Sequence, residues 1–88
     1  MALPPDLDHD KLCVTALAIL GLTAFSDYGA TRAWKGLDWD LLDALCQRGW
    51  IHDPRSKAKS VVFTTSGVTL ADQFLKRYFG RRDESPNA

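Results

Sequence analysis

"LDALCQRGWIHDPRSKAKSVVFTTSGVTLA", residues 42–71, decides the fold. Its first part has helical spacing. Leu41, Leu42, Leu45 and Cys46 make one apolar stripe, while Asp40, Asp43, Gln47 and Arg48 face out. Asp38, following Gly36, is a good N-cap, and Gly49 supplies the glycine that ends the helix. "WIHDP" (50–54) then reads as a short strand stopped by Pro54. "RSKAKS" (55–60) is a polar turn, and "SVVFTT" (60–65) is a β-branched return strand. Together they predict one hairpin with a basic tip. Thr64, Thr65 or Ser66 caps a last helix with the apolar face Val68, Ala71, Phe74, Leu75, Tyr78 and Phe79. Lys76 and Arg77 suit the negative end of its dipole, and Gly80 ends it.

The N-terminal side completes the set of elements. Pro4 and Pro5 before the acidic "DLDHD" suit a helix start, which predicts helix one from about Asp6 to Phe25. From Leu12 onward that helix is apolar nearly all round, so it is central. Either the later helices wrap it or a second copy of the chain does. Leu12, Leu17, Ile19 and Leu20 are the candidate dimer face, and Gly21 allows close approach of a neighbour. Residues 26–37 read as a loop with at most one helical turn. The resulting class is α+β, a trimmed winged-helix-like domain of three main helices and one hairpin.

The totals restrict the function. Eighty-eight residues make one domain, taken as 1–80, with 81–88 a polar, frayed tail. Cys13 and Cys46 are too few for a disulfide framework and sit among apolar neighbours, as reduced thiols do. The N-terminus has no cationic secretory region. The apolar run 12–25 is shorter than the roughly 20 residues a membrane span needs. A cytoplasmic protein is expected. Charge is zero overall but uneven. Lys11 stands against Asp6, Asp8, Asp10 and Asp27 in residues 1–31, while residues 55–82 hold seven cations against Asp72. A polyanion would meet the C-terminal third.

The order of helix ending at Arg-Gly, strand, basic turn, strand and Thr-x-x-Gly helix start resembles winged helix-turn-helix proteins of the multiple-antibiotic-resistance regulator type. There the first helix of residues 42–71 would be the recognition helix and residues 55–60 the wing. The resemblance implies DNA binding. Residues 26–37 depart from it, because those regulators carry a full positioning helix at that place. "RAWKG", "DWD" and "KAKSVV" together resemble a family of small bacterial proteins of unknown function across residues 9–79.

No catalytic constellation is apparent. His9 and Cys13 share a helix face, but lack a fourth ligand at metal-site spacing. His52 beside Asp53 has no serine or cysteine placed for activation. Phosphate-loop, dinucleotide and Cys-x-x-Cys motifs are absent. No enzyme, cofactor, metal or small-molecule substrate is expected. Arg55, Lys57 and Lys59 at the wing, with Lys76 and Arg77, are the candidate DNA contacts. The reading helix argues against DNA, because Asp38, Asp40 and Asp43 would be repelled by phosphate. Protein–protein interaction, including a homodimer, is therefore the first reading, and DNA the second. Arg32, Trp34, Lys35 and Trp39 are the candidate partner-binding residues, since tryptophan and arginine dominate hot spots. Trp50 is expected in the core and Trp39 half-buried. Trp34 is expected to plug its loop under helix two, between the stems of Arg32 and Lys35. Truncating an indole buried in that way would cost about 3–5 kcal/mol.

Overall fold

The computed structural model describes residues 3–81, as α1 (His9–Leu22), β1 (Phe25–Asp27), β2 (Ala30–Trp34), α2 (Trp39–Gln47), β3 (Ser60–Val62) and α3 (Thr65–Phe79). The strands form one antiparallel sheet in the order β1-β2-β3. Three helices and a three-stranded antiparallel sheet make this an α+β domain, consistent with a winged-helix-like arrangement. Most of the predicted tail, residues 82–88, lies outside the described residues.

α1 is shorter than its apolar run suggests. Asp8 is its N-cap and accepts from the Lys11 N–H at 3.0 Å. The prolines make a turn ahead of it instead, closed by the Leu7 N–H on the Pro4 carbonyl at 3.3 Å. The helix stops at Leu22 because Phe25 already belongs to the sheet. α1 is covered within one chain by α2, α3 and β2. Its buried residues are Cys13, Ala16, Leu17, Ala18 and Leu20. α3 comes so close that a Cβ added at Gly21 would sit 2.8 Å from the Ala71 Cβ. Asp10, Lys11, Thr15, Ile19 and Leu22 stay exposed along the open side.

Residues 26–37 are the main correction. In place of a loop with a helical turn, β1 and β2 form a hairpin, with Asp27 opposite Ala30. Its two central residues, Tyr28 and Gly29, both have positive φ, 50° and 79°. Such two-residue turns match the right-handed twist of strand pairs. The segment that should hold a positioning helix therefore holds strands, and α2 has no helical partner directly before it.

The second expected hairpin is weaker than predicted. Of "WIHDP", only Ile51 pairs, through a single bridge to Phe63, with the His52 N–H on the Val62 carbonyl at 2.9 Å. β3 takes its ladder from β2 instead, with Arg32 opposite Val62 and Trp34 opposite Ser60. Pro54 is fully buried and turns the chain away from the sheet.

α2 and α3 start as expected. Asp38 accepts from the Asp40 N–H at 3.0 Å. Thr64 accepts from the Gly67 N–H at 2.9 Å and donates its hydroxyl to the Gly49 carbonyl at 2.6 Å. One threonine thus caps α3 and fastens it to the end of α2. Gly80 follows α3 as predicted, but its φ of −69° lies outside the left-handed region, so it is not a left-handed glycine cap. The core joins Cys13, Leu17 and Leu20 to Ala33, Leu42, Leu45, Ile51, Val61, Phe63 and Ala71. Burying a leucine or isoleucine of this kind contributes about 1.5–3 kcal/mol. Trp50 packs against this core, as expected, edge-on to Phe74 at 5.5 Å.

Candidate functional site

Residues opposite one another across antiparallel strands share a face, and the face alternates along each strand. Ala33 and Val61 are buried, so their face is inward. The outward face therefore carries Phe25, Arg32 and Val62 in one row and Trp34 with Ser60 in the next.

Trp34 ends β2 with its side chain largely in solvent. It is 61% exposed, against the expectation of a buried anchor under α2. The loop it was expected to hold does not exist, because strand pairing fixes that segment without it. The indole leans on Phe25, with ring centroids 5.0 Å apart and a tilt of 36°. Such a pair gains about 0.5–1.5 kcal/mol beyond area burial and holds the ring in place.

The neighbouring cations are fixed too. Arg32 donates from Nη1 to Ser60 Oγ at 2.9 Å, and its Nε lies 3.9 Å from an Asp27 carboxylate oxygen. Lys35 does not flank Trp34 as expected. Its backbone N–H bonds the Lys59 carbonyl at 2.9 Å, and its Nζ donates to the Ser56 carbonyl at 2.9 Å. The same ammonium stands 5.6 Å from the Trp39 ring, within cation–π range. Trp39 is 53% exposed on the first turn of α2. The four candidate residues thus lie along one continuous piece of backbone, with two open indoles and two tethered cations. This arrangement can bind: it presents apolar area and π-faces with hydrogen-bond donors beside them.

The chain matches the family described as "Domain of unknown function (DUF6429)" over residues 8–81. It belongs to that family. It is also similar to the uncharacterised protein y4hR of Sinorhizobium fredii, 40% identical over 76 residues that cover 86% of this chain and 99% of the relative. No solved structure gives a significant match. The family and this relative carry no stated activity, so the functional reading rests on the geometry.

The cations expected to contact DNA are not equivalent. Arg55 is turned back onto the domain, with Nη2 2.9 Å from Asp43 Oδ2 and Nη1 3.5 Å from Asp53. That pair draws in Asp43, which was expected to face out; its other oxygen, Oδ1, is buried without a hydrogen-bond partner among the described residues. Lys76 pairs with Asp72 at 3.1 Å, one helical turn earlier. Arg77 lies over the Tyr78 ring at 5.5 Å. Lys57 and Lys59 are exposed and have no carboxylate within 4.0 Å among the described residues. Arg48, at the far end of α2, bonds Asp10 at 2.7 Å. That hydrogen bond, opposed by desolvation, raises the guanidinium pKa above its usual value.

The expected dimer face also changes. Leu17 and Leu20 belong to the core of the single chain and offer no surface, and Leu12 is half-buried. Ile19 remains open at 44%, joined by Leu22 at 67%. The helix is central as predicted, but its own chain covers most of it.

Phe25, Ser60 and Tyr28 were not singled out from the sequence. The available signal was the sequence Asp-Tyr-Gly-Ala between two stretches of alternating polarity, which is a weak form of the Asn-Gly or Asp-Gly hairpin pattern. No helix among the described residues is long and apolar enough to cross a membrane.

Proposed function

We propose that this protein is a non-enzymatic bacterial module, working in the cytoplasm, that docks another protein on the outer face of its sheet and associates with a second copy of itself. The observation that carries the docking reading is Trp34: an indole 61% exposed, steadied by Phe25 and bordered by cations that are already tethered. Large aromatic side chains held rigid before binding lose little entropy when they dock, which is how hot-spot residues contribute most of an interface's affinity.

A photo-crosslinking amino acid at position 34 tests this reading in the native host, with the same group at the exposed Gln73 of α3 as control. A discrete adduct from position 34 and none from position 73 is the expected result. Equal, diffuse labelling at both positions removes the docking reading.

Duplex DNA is the second reading, and Lys57 and Lys59 are the observation that favours it. Against it stand the strands before α2, where a helix-turn-helix needs a helix, and the carboxylates of Asp38 and Asp40 at the start of α2. Binding to a duplex at about 50 mM salt that falls steeply as salt rises would promote it.

A further inference from the structure

β1 is an edge strand, paired on one side with β2 and on the other with no strand among the described residues. In a two-residue hairpin the pair closing the turn exchanges hydrogen bonds, and bonded and non-bonded pairs then alternate. Asp27 with Ala30 is therefore a bonded pair, Ser26 with Thr31 is not, and Phe25 with Arg32 is again bonded. The opposite side of β2 agrees: the Thr31 carbonyl points to β3, where it accepts from the Phe63 N–H at 2.9 Å. Ser26 alone in β1 thus turns both its N–H and its C=O away from the sheet. Among the described residues nothing bonds to either.

One outward donor and one outward acceptor on the central residue of a three-residue strand are their own complement. A two-fold axis at Ser26 brings each N–H to the other copy's C=O. The register then follows. Phe25 lies opposite Asp27 of the partner subunit, and the turn at Tyr28 comes to the Phe25 end of the partner strand, which Ala24 of the partner subunit and Leu22 of the partner subunit precede. Tyr28 is fully exposed and sits at φ 50°, where a residue with a Cβ is strained, yet its ring fills nothing in its own chain. Leu22, three residues before Phe25 in the chain, is 67% exposed. Phe25–Asp27 carries no lysine, proline or bulge; what guards the edge is its three-residue length and the Asp27 carboxylate, which is drawn toward Arg32 of β2 at 3.9 Å.

We infer that β1 is a homotypic docking edge, on which two copies pair antiparallel about Ser26 into a six-stranded sheet, with Tyr28 of each copy packed beside the other's Ala24 and Leu22. This names the surface for the self-association proposed above and rests on that reading.

The test is the solution mass of the full chain, 9.8 kDa for one copy, across micromolar to millimolar concentration. Ser26→Pro removes the outward N–H and leaves every β1–β2 bond in place. It should keep the wild-type circular dichroism and weaken dimerisation by about thirtyfold, since both hydrogen bonds across the axis need that N–H. Ser26→Cys should oxidise readily to a disulfide-linked dimer, while Gln73→Cys should not. If Ser26→Pro does not fold, the crosslinking of Ser26→Cys decides. A wild-type dimer indifferent to Ser26→Pro, with no disulfide-linked dimer from Ser26→Cys, overturns the edge and leaves self-association to another face. A wild-type chain monomeric at millimolar concentration overturns both.

Discussion

Replacing Trp34 by alanine separates a structural tryptophan from a binding one. With the indole 61% exposed, about two-fifths of its surface is covered. Full burial of an aromatic side chain contributes up to about 3 kcal/mol, so the covered part contributes about 1 kcal/mol. The pairing with Phe25 at 5.0 Å adds about 0.5–1.5 kcal/mol. No cavity penalty arises, because the vacated space opens to water. Trp34→Ala should therefore cost about 1.5–2.5 kcal/mol, below the roughly 3–5 kcal/mol typical of a buried tryptophan. In a domain of this size each kcal/mol lowers Tm by about 4–8 °C, so a fall of about 6–20 °C is expected. Urea and thermal melts followed by far-ultraviolet circular dichroism measure both quantities. A loss above about 3 kcal/mol, or a variant that does not fold, would show that the ring anchors the domain and refute the reasoning.

Three further perturbations probe the packing and the charges. Gly67→Ala places a Cβ on the Trp50 carbonyl oxygen, a backbone group that cannot yield cheaply, whereas Gly36 has open space around it. Urea melts should show the first losing at least ~2 kcal/mol and the second within about 0.5 kcal/mol of wild type; equal stabilities would deny the contact of α3 with Trp50. Leu17→Asp buries an unpaired charge and should cost several kcal/mol, while Ile19→Asp, at a position 44% exposed, should leave the melt nearly unchanged. A severe loss at Ile19 would mean that α1 is covered more completely than by its own chain. Replacing Lys57 and Lys59 with serine should change stability by less than about 0.5 kcal/mol, and adding Arg55→Ser should cost up to about 1 kcal/mol more because Asp43 loses its partner. If the Arg55 step costs nothing in chemical denaturation, the pair with Asp43 contributes nothing to the fold.

The sequence by itself determined the three helices, the N-cap of α2 at Asp38, the cap of α3 to within Thr64, Thr65 or Ser66, the close approach at Gly21 and the α+β class. Those features are local or periodic: a cap needs only its own next three residues, and an apolar stripe repeats on one helix face. It also marked Arg32, Trp34, Lys35 and Trp39 as worth attention, on residue type alone. Tertiary structure decided what those residues do. Whether Trp34 is buried depends on whether residues 26–37 are a loop or a hairpin, and that turned on Tyr28 and Gly29 both taking positive φ. The partner of β3 was equally hidden, since β2 lies far from it in sequence and takes the edge opposite the nearer Ile51 segment. Strand pairing is a contact between distant segments, and sequence periodicity records only which face of each strand is apolar. The same holds for charge: Arg55 and Lys57 look alike in "RSKAKS", and only the fold brings Asp43 to one of them. Leu17 and Ile19, two residues apart on one apolar helix, end in the core and on the surface because α2 and α3 pack against one side of α1 and leave the other open.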